Sequence, residues 1–264
     1  CELGLTEYPV SILPNGRKVI TDLQDAGIED VRDIPDGVLK NERHITVWQA
    51  TRTNQPFISP VLKAELGKLS YPRFYLDFET INFAIPRWAG TRPHQQLPFQ
   101  WSCHIEKQGR ALEHREFLDT SGNAPMRAFA ESLIAAVEDD GPIIVYGAFE
   151  STVLKGLIAF CPDLDAPLND IIDRLVNLLP WLQNHYYHPA MKGSWSIKAV
   201  LPTIAQHLDY SQLEDVKNGT LAQLAYMDII DPEIGQDVRE QKIRNLLKYC
   251  ELDTQAMVEV VSYL

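Results

Sequence analysis

The stretch FYLDFETINF, residues 74–83, decides how the sequence is interpreted. Its aromatic and branched apolar residues predict a β-strand, yet two acids, Asp77 and Glu79, stand one residue apart within it. Because successive side chains of a strand alternate between faces, both carboxylates are expected to point the same way. Two negative charges about 5 Å apart repel by about 3 kcal/mol at an effective dielectric constant near 20. We therefore expect another group to offset this repulsion.

The composition of the 264 residues is that of a globular protein. Hydrophobic residues make up 45% of the chain, which is enough for a core, and no apolar run is long enough to predict a membrane span. Four cysteines without CxxC spacing predict a reducing compartment, and we expect a cytoplasmic protein. The formal net charge of -12 argues against a broad, non-specific nucleic-acid surface but allows a local basic groove.

The N-terminal part of the chain is expected to be separate from the rest. The sequence begins at Cys1 without a methionine, which indicates a fragment of a longer protein. A short helix is predicted to end at Gly27, and a proline-containing connector follows. Residues 1–68 are therefore predicted to be a small helical segment or linker, the tail of a truncated upstream domain. Residues 69–264 are predicted to form the main domain.

After residue 68 the pattern changes to strands and then to helices. Three runs rich in aromatic and branched residues predict an antiparallel meander: RFYLDFE, LPFQWSCHIEK and LEHREFLD. A helix, the buried strand GPIIVYG and another helix follow in the sequence. Further helices are predicted at 166–184, 196–206, 219–230 and 237–263. The predicted fold class is therefore α/β, with a core of strands and helices followed by a helical C-terminal half.

The last predicted helix carries an unusual pair, Tyr249 and Asp253. Its apolar face is marked by Leu246, Leu247, Cys250, Met257, Val258 and Val261. Residues four apart lie one above the other on a helix, so the phenol and the carboxylate share one side. Such a helix can present a carboxylate to a metal ion and a phenol to the water beside that ion.

These residues and their order resemble the DEDD superfamily of 3′ to 5′ exonucleases, in its tyrosine-containing branch. That family has an Asp-x-Glu pair on its first strand, an acid after its fourth strand, and Tyr-x-x-x-Asp on a late helix. The matching positions are Asp77 and Glu79 in DFE, Glu150 in VYGAFES, and Tyr249 and Asp253 in YCELD. The superfamily usually has Asp where this chain has Glu150, whose extra methylene alters metal geometry.

The resemblance covers roughly residues 70–264 and implies an RNase H-like core. Such a core has a mixed sheet of three antiparallel strands and then a parallel strand. The chain is also similar to an uncharacterised bacterial group in which Glu is usual at position 150 and the domain follows a RecB-type nuclease. An upstream nuclease domain in the same full-length chain is thus a possible partner. In that group Cys1 would be the last ligand of an upstream metal or iron–sulfur site.

The implied function is metal-dependent 3′ to 5′ exonuclease activity on single-stranded DNA or RNA. Four carboxylates, those of Asp77, Glu79, Glu150 and Asp253, would hold two Mg²⁺ or Mn²⁺ ions, since hard cations favour oxygen ligands. Tyr249 would orient the attacking water. Taken singly, each motif has a structural explanation: a solvated strand edge, an acid at a helix N-terminus, or an ordinary helical pair. Their joint occurrence in the family's order favours the metal site.

Two further segments are candidates for substrate contact. In TRPHQQLPFQWSCH, the guanidinium of Arg92 and the amides of Gln96 and Gln100 accompany aromatic residues, a mixture that suits phosphates and stacked bases. The alternative is a surface loop that leads into a strand. Lys198, in a Ser-x-Lys stretch that resembles one in the family, would meet a phosphate, or it is an ordinary surface lysine.

Two other functions stay open. The domain could be a catalytically weak module that binds nucleic acid or a partner for the fused upstream nuclease, or a metal-dependent transferase or phosphatase for small phosphorylated compounds. The chain has no GxxxxGK[ST], GxGxxG or GxSxG motif, which argues against P-loop hydrolysis, dinucleotide chemistry and an ordinary serine hydrolase.

Overall fold

The computed structural model describes residues 6–137, 140–205, 207–208, 216 and 218–264. Within these residues the protein is a mixed α/β protein with a five-stranded mixed sheet, a two-stranded sheet and ten α-helices. The strands are β1 (Phe57–Ile58), β2 (Arg73–Ile81), β3 (Leu97–Glu106), β4 (Glu113–Leu118), β5 (Ile143–Val145), β6 (Leu175–Asn177) and β7 (Tyr186–Tyr187). The helices are α1 (Arg17–Asp25), α2 (Glu42–Thr53), α3 (Pro60–Leu66), α4 (Met126–Ala136), α5 (Phe149–Phe160), α6 (Asp165–Asp173), α7 (Leu178–His185), α8 (Ile197–Val200), α9 (Gly219–Ile229) and α10 (Gln236–Tyr263).

The chain forms two compact units. The first contains the described residues of Cys1–Lys68, Leu179–Gln206 and Tyr263–Leu264, and the second those of Leu69–Leu178 and His207–Ser262. The chain first passes from one unit to the other between Lys68 and Leu69, which is also where the sequence-based division of the chain lies. Residues 179–206 return to the first unit, which the sequence analysis does not anticipate. The interpretation of Cys1 lies outside the described residues.

The first unit is built around α1 to α3 and a small sheet in which β1 pairs antiparallel with β7. The helix expected to stop at Gly27 is α1, and Gly27 has the left-handed φ of 76° that favours glycine after a helix. Gly193 also has a positive φ, and a Cβ there would collide with the Ile12 carbonyl oxygen. Only glycine fits this contact within the unit.

The second unit is organised by the five-stranded sheet, whose strand order is β4-β3-β2-β5-β6. The first three strands in the chain, β2 to β4, pair antiparallel, and β5 then joins β2 in parallel. The predicted α/β class and mixed sheet are therefore confirmed. The fifth strand, β6, pairs in parallel with β5 and was not predicted.

The prediction of one helix at 166–184 is wrong. The structure has α6, then β6, then α7 in this region. Helix α6 ends at Asp173, where the backbone N–H of Arg174 donates to the Asp170 carbonyl oxygen. The guanidinium of Arg174 donates a hydrogen bond to the Val137 carbonyl oxygen. The branched residues of β6 then hydrogen-bond to the open edge of β5. Pairing with a sheet edge outweighs local helical periodicity here, because β-propensity depends on the available partner.

The other C-terminal helices follow the predictions more closely. Helices α9 and α10 lie within one residue of the predicted 219–230 and 237–263. The predicted helix at 196–206 is shorter, because α8 gives way to a 3₁₀ turn at Leu201–Thr203 that contains Pro202. Proline lacks the N–H that an α-helix would require at this place.

The two faces of the main sheet differ in polarity. On one face, Phe78 packs edge-on against Phe129 of α4, with ring centroids 5.0 Å apart, and Trp101 donates to Ser132 of the same helix. The opposite face carries the alternate residues of β2, including Asp77 and Glu79, and it is covered by α10. The strand alternation that the sequence predicts thus separates an apolar face from an acidic one.

Candidate metal centre

Three acids from two elements meet on the polar face of the sheet. Asp77 and Glu79 project from β2, and Asp253 projects from α10. One carboxylate oxygen from each residue lies within 4.8 Å of those of the other two. Glu79 and Asp253 are shielded from water, at 8% and 9% exposure, and Asp77 is half-buried. Buried negative charges at this separation require a compensating cation or proton.

Helix α10 brings Asp253 to the sheet because one of its faces is complementary to β2. Leu246, Tyr249, Cys250 and Asp253 are spaced by three or four residues and therefore share that face. Cys250 is fully buried, and its thiol donates to the Asp77 carboxylate, with Sγ 3.5 Å from Oδ2. The small thiol allows the helix backbone to approach the strand closely.

Glu150 enters from the first turn of α5, after the parallel strand β5. Its side chain is 3% exposed, and its Oε2 has no hydrogen-bond partner among the described residues. It is not part of the group of three oxygens within 4.8 Å, although its charge raises the pKa of Asp77. A buried carboxylate oxygen without a partner is unfavourable unless a cation or proton satisfies it.

The turn before Glu150 is fixed by a residue that the sequence analysis did not identify. Asn177, the last residue of β6, accepts a hydrogen bond of 3.0 Å from the Gly147 N–H through its Oδ1. Gly147 has a φ of 130°, a conformation that favours glycine. The unpredicted strand β6 therefore helps to position Glu150, and no local pattern in the sequence indicates this contact.

The protonation of the cluster reflects its burial. Burial first, and then the charges of Asp253, Glu150 and Glu79, raise the pKa of Asp77 well above its usual range. Burial raises the pKa of Glu150 to about 7. Burial and the neighbouring carboxylates also raise the pKa of Tyr249, so its phenol keeps its proton at neutral pH. Tyr249 is thus a hydroxyl donor in this site and not a phenolate.

The donor set fits a hard divalent cation. All of the predicted ligands are carboxylates, which Mg²⁺ and Mn²⁺ prefer to sulfur or nitrogen. A bound cation would lower the repulsion among Asp77, Glu79 and Asp253, and it could satisfy the unpartnered oxygen of Glu150. The residues present therefore fit the predicted cofactor class, although an acidic cluster alone does not specify which ion binds.

The predicted substrate residues lie in different environments. Arg92 is exposed, and its backbone N–H donates to the Gln95 side chain. Gln96 is also exposed, and its Oε1 accepts a hydrogen bond of 2.7 Å from Thr80. Both side chains are accessible from solvent.

Gln100 departs from what substrate contact would need, whereas the role of Lys198 is untested. Gln100 is fully buried, and its Nε2 donates to the Leu246 carbonyl oxygen at 2.8 Å, so it joins β3 to α10 and presents no surface to a ligand. Lys198 lies in α8 of the first unit, whereas the acids belong to the second. Its predicted phosphate contact stays a prediction.

The chain is similar to a protein family and to a curated protein. A family described as a domain of unknown function, DUF2779, matches residues 74–196, which include Asp77, Glu79 and Glu150 but not Tyr249 or Asp253. The chain is also similar to an uncharacterised protein, UU173, of Ureaplasma parvum serovar 3, with 27% identity over 256 residues. That match covers 84% of this chain and 35% of the relative. The chain thus spans about a third of the length of that relative.

No solved structure matches the chain. Across the part of the chain that the structure describes, none of the helices is both long enough and apolar enough to cross a bilayer. Neither finding bears on the chemistry of the acidic site.

Proposed function

We propose that the chain is a metal-dependent 3′ to 5′ exonuclease with an RNase H-like core, acting on single-stranded DNA or RNA. The observation that supports it most directly is the convergence of Asp77, Glu79 and Asp253, with one oxygen of each within 4.8 Å. Acids on a central strand and on a late helix, beside a protonated Tyr249, are the arrangement expected for this class. The pairing of β2 with antiparallel β3 and parallel β5 is compatible with it.

The carboxylates have defined roles in this proposal. Asp77, Glu79 and Asp253 hold the divalent ions, and Glu150 adds the fourth acid from the start of α5. When bound by these residues, two Mg²⁺ or Mn²⁺ ions would supply an activated water and would stabilise the leaving 3′ oxygen of a phosphodiester. Tyr249 donates its hydroxyl proton in a hydrogen bond that orients the attacking water, since its raised pKa keeps the phenol protonated.

The substrate and its context are also proposals. Exposed Arg92 and Gln96 contact the phosphates and bases of a single strand, and Lys198 binds a phosphate. The net charge of -12 favours a short single-stranded end over a long duplex. The proposal also includes a RecB-type nuclease domain upstream in the same full-length chain and a cytoplasmic location. That the chain spans only part of its relative is compatible with such a fusion.

The decisive experiment uses single-stranded DNA and RNA labelled at the 5′ end, with Mn²⁺ or Mg²⁺ and with chelator. We expect a ladder of progressively shorter labelled strands only with metal, and no cutting of circular single-stranded DNA. Asp77→Asn should lower the rate by about a hundredfold or more, because metal ions supply several kcal/mol of transition-state stabilisation. Asp173→Asn, which changes an exposed acid on α6, is the matched control and should keep the parental rate.

Other outcomes favour the other functions. Binding of single strands without cleavage, equally strong in the parent and in Asp77→Asn, would replace the exonuclease with a binding module for the upstream nuclease. Hydrolysis of a small phosphate ester without cleavage of oligonucleotides would favour a phosphatase. Equal cleavage by parent and Asp77→Asn would contradict the proposed metal site.

A further inference from the structure

Helix α10 is held on the sheet by polar contacts on both sides of Tyr249 and Asp253. On one side, Gln100 donates to the Leu246 carbonyl oxygen at 2.8 Å. On the other side, the Thr254 hydroxyl lies 3.0 Å from Ser102 Oγ and 2.8 Å from His104 Nδ1. We call these contacts of Gln100, Ser102 and His104 with α10 the helix clamp.

Two of the three clamp residues are direct cross-strand neighbours of the acids on β2, and the third, His104, stands opposite Tyr75. In the register of β2 and β3, Ser102 stands opposite Asp77 and Gln100 stands opposite Glu79. Paired residues of an antiparallel ladder point to the same face, so the clamp and the carboxylates share one surface of the sheet. The helix is therefore attached directly beside the strand that carries two of the proposed ligands.

The contacts extend into β4 and are deeply buried. Ser102 Oγ also shares a hydrogen bond of 2.9 Å with His114 Nε2, and the rings of His104 and His114 lie 4.5 Å apart. Gln100, Ser102 and Thr254 have no exposed surface. The Oε1 of Gln100 is buried without a hydrogen-bond partner among the described residues, which is unfavourable, whereas the paired groups of the network define one arrangement far more strictly than apolar packing does.

The clamp would fix the register of α10 against the sheet, as helix geometry shows. One residue of slippage moves a side chain by 1.5 Å along the axis and rotates it by about 100°. The two attachment points on α10, Leu246 and Thr254, are eight residues apart, so a slip would break both attachments together. Asp253 and Tyr249 lie between these attachments and are held in the same register.

We infer that Gln100, Ser102, His104 and Thr254 are positioning residues that set Asp253 and Tyr249 opposite Asp77 and Glu79. This inference rests on the proposed metal site. Residues that orient metal ligands typically change metal affinity by about 10- to 100-fold when they are replaced. The clamp therefore contributes to metal binding without touching the ion.

The test compares Thr254→Val, which removes the hydroxyl at nearly constant volume, with Thr254→Ser, which keeps it. Mn²⁺ affinity is measured from the free-ion paramagnetic resonance signal. We expect Thr254→Val to bind Mn²⁺ about 10- to 100-fold more weakly and Thr254→Ser to bind within about threefold of the parent. Ser132→Ala is the control, because it removes a partly buried hydroxyl contact to β3 on the opposite face of the sheet and should not change the affinity.

A second readout separates this inference from the proposed function. Amide hydrogen exchange of residues 246–254, measured with chelator present, should accelerate at least about tenfold in Thr254→Val but not selectively in Ser132→Ala. If the parent bound no Mn²⁺, the metal site would fail, and unchanged exchange in Thr254→Val would then overturn the clamp as well. If the parent bound Mn²⁺ and Thr254→Val bound it equally well, the positioning role would be overturned while the metal site stood.

Discussion

The ionisation of Glu150 depends on its burial. Burial raises its pKa to about 7, from an ordinary value of 4.5. A group whose pKa is raised by folding contributes favourably below the unfolded pKa, and this contribution is lost as the pH rises through the folded pKa. Without metal, the protein should therefore lose stability between about pH 4.5 and 7.

Glu150→Gln should remove the part of this dependence that Glu150 causes, while Asp77, whose pKa is also raised, keeps its own part. Urea unfolding in chelator at several pH values between 5 and 8 should show a flatter profile for Glu150→Gln than for the parent. The difference at pH 8 should be up to about 3 kcal/mol in favour of Glu150→Gln, since one pKa unit corresponds to about 1.4 kcal/mol. Two parallel pH profiles would show that Glu150 is not buried as described. Saturating Mn²⁺ should bring the curves together, because it neutralises the carboxylate in the parent.

Tyr249 allows a test of water positioning apart from metal binding. Tyr249→Phe keeps the ring, which is 4% exposed, and removes only the hydroxyl. If the hydroxyl orients the attacking water, kcat for oligonucleotide cleavage should fall by about a hundredfold while Mn²⁺ affinity stays close to parental. A fall in metal affinity with unchanged kcat would assign the hydroxyl to support of the ligands and not to the water.

Individual residues were predictable from the sequence to different degrees. Asp77 and Glu79 were placed on one face by strand alternation, and helical spacing placed Tyr249 and Asp253 on one side of α10. Gln100 was misinterpreted as a substrate contact because residue type alone does not reveal burial. A signal did exist: Gln100, Ser102 and His104 alternate with apolar residues along β3, the pattern of a strand with one polar face against a neighbour.

At the scale of elements, long periodic segments were predictable and short paired ones were not. Helices α9 and α10 carry their own amphipathic pattern, which the chain shows before any packing is known. Strand β6 has only three residues, and it exists because β5 offers an open edge. The turn that places Glu150 depends on β6 through Asn177, so this part of the site could not be derived from local sequence.

At the scale of the whole molecule, the two units alternate along the chain, because the first unit contains residues from both before and after the sheet of the second. The N-terminal residues are therefore needed for the packing of residues 179–206 as well as for their own fold. Tyr186 and Tyr187 of β7 are almost completely buried in the first unit, where β1 is their strand partner. A fragment that begins at Leu69 keeps β7 but loses β1 and helices α1 to α3. Residues 179–206 would then expose apolar surface to water.

We therefore expect the fragment from Leu69 to Leu264 to self-associate and to bind a hydrophobic dye more strongly than the full chain. Light scattering with size-exclusion chromatography, together with dye fluorescence, measures both effects. A chain that begins at Thr6 keeps every described residue of the first unit and is the matched control. A monomeric Leu69 fragment with low dye fluorescence and a cooperative melt would show that residues 1–68 are dispensable, as expected of a simple linker.

The same interleaving affects how the protein emerges from the ribosome. Strand β1 is synthesised long before β7, so the first unit cannot complete its small sheet until the strands of the second unit have been translated. At ordinary elongation rates the delay is on the order of ten seconds. During that time Phe57 and Ile58 lack the β7 residues with which they pair in the folded protein, so the nascent chain carries an unpaired strand edge.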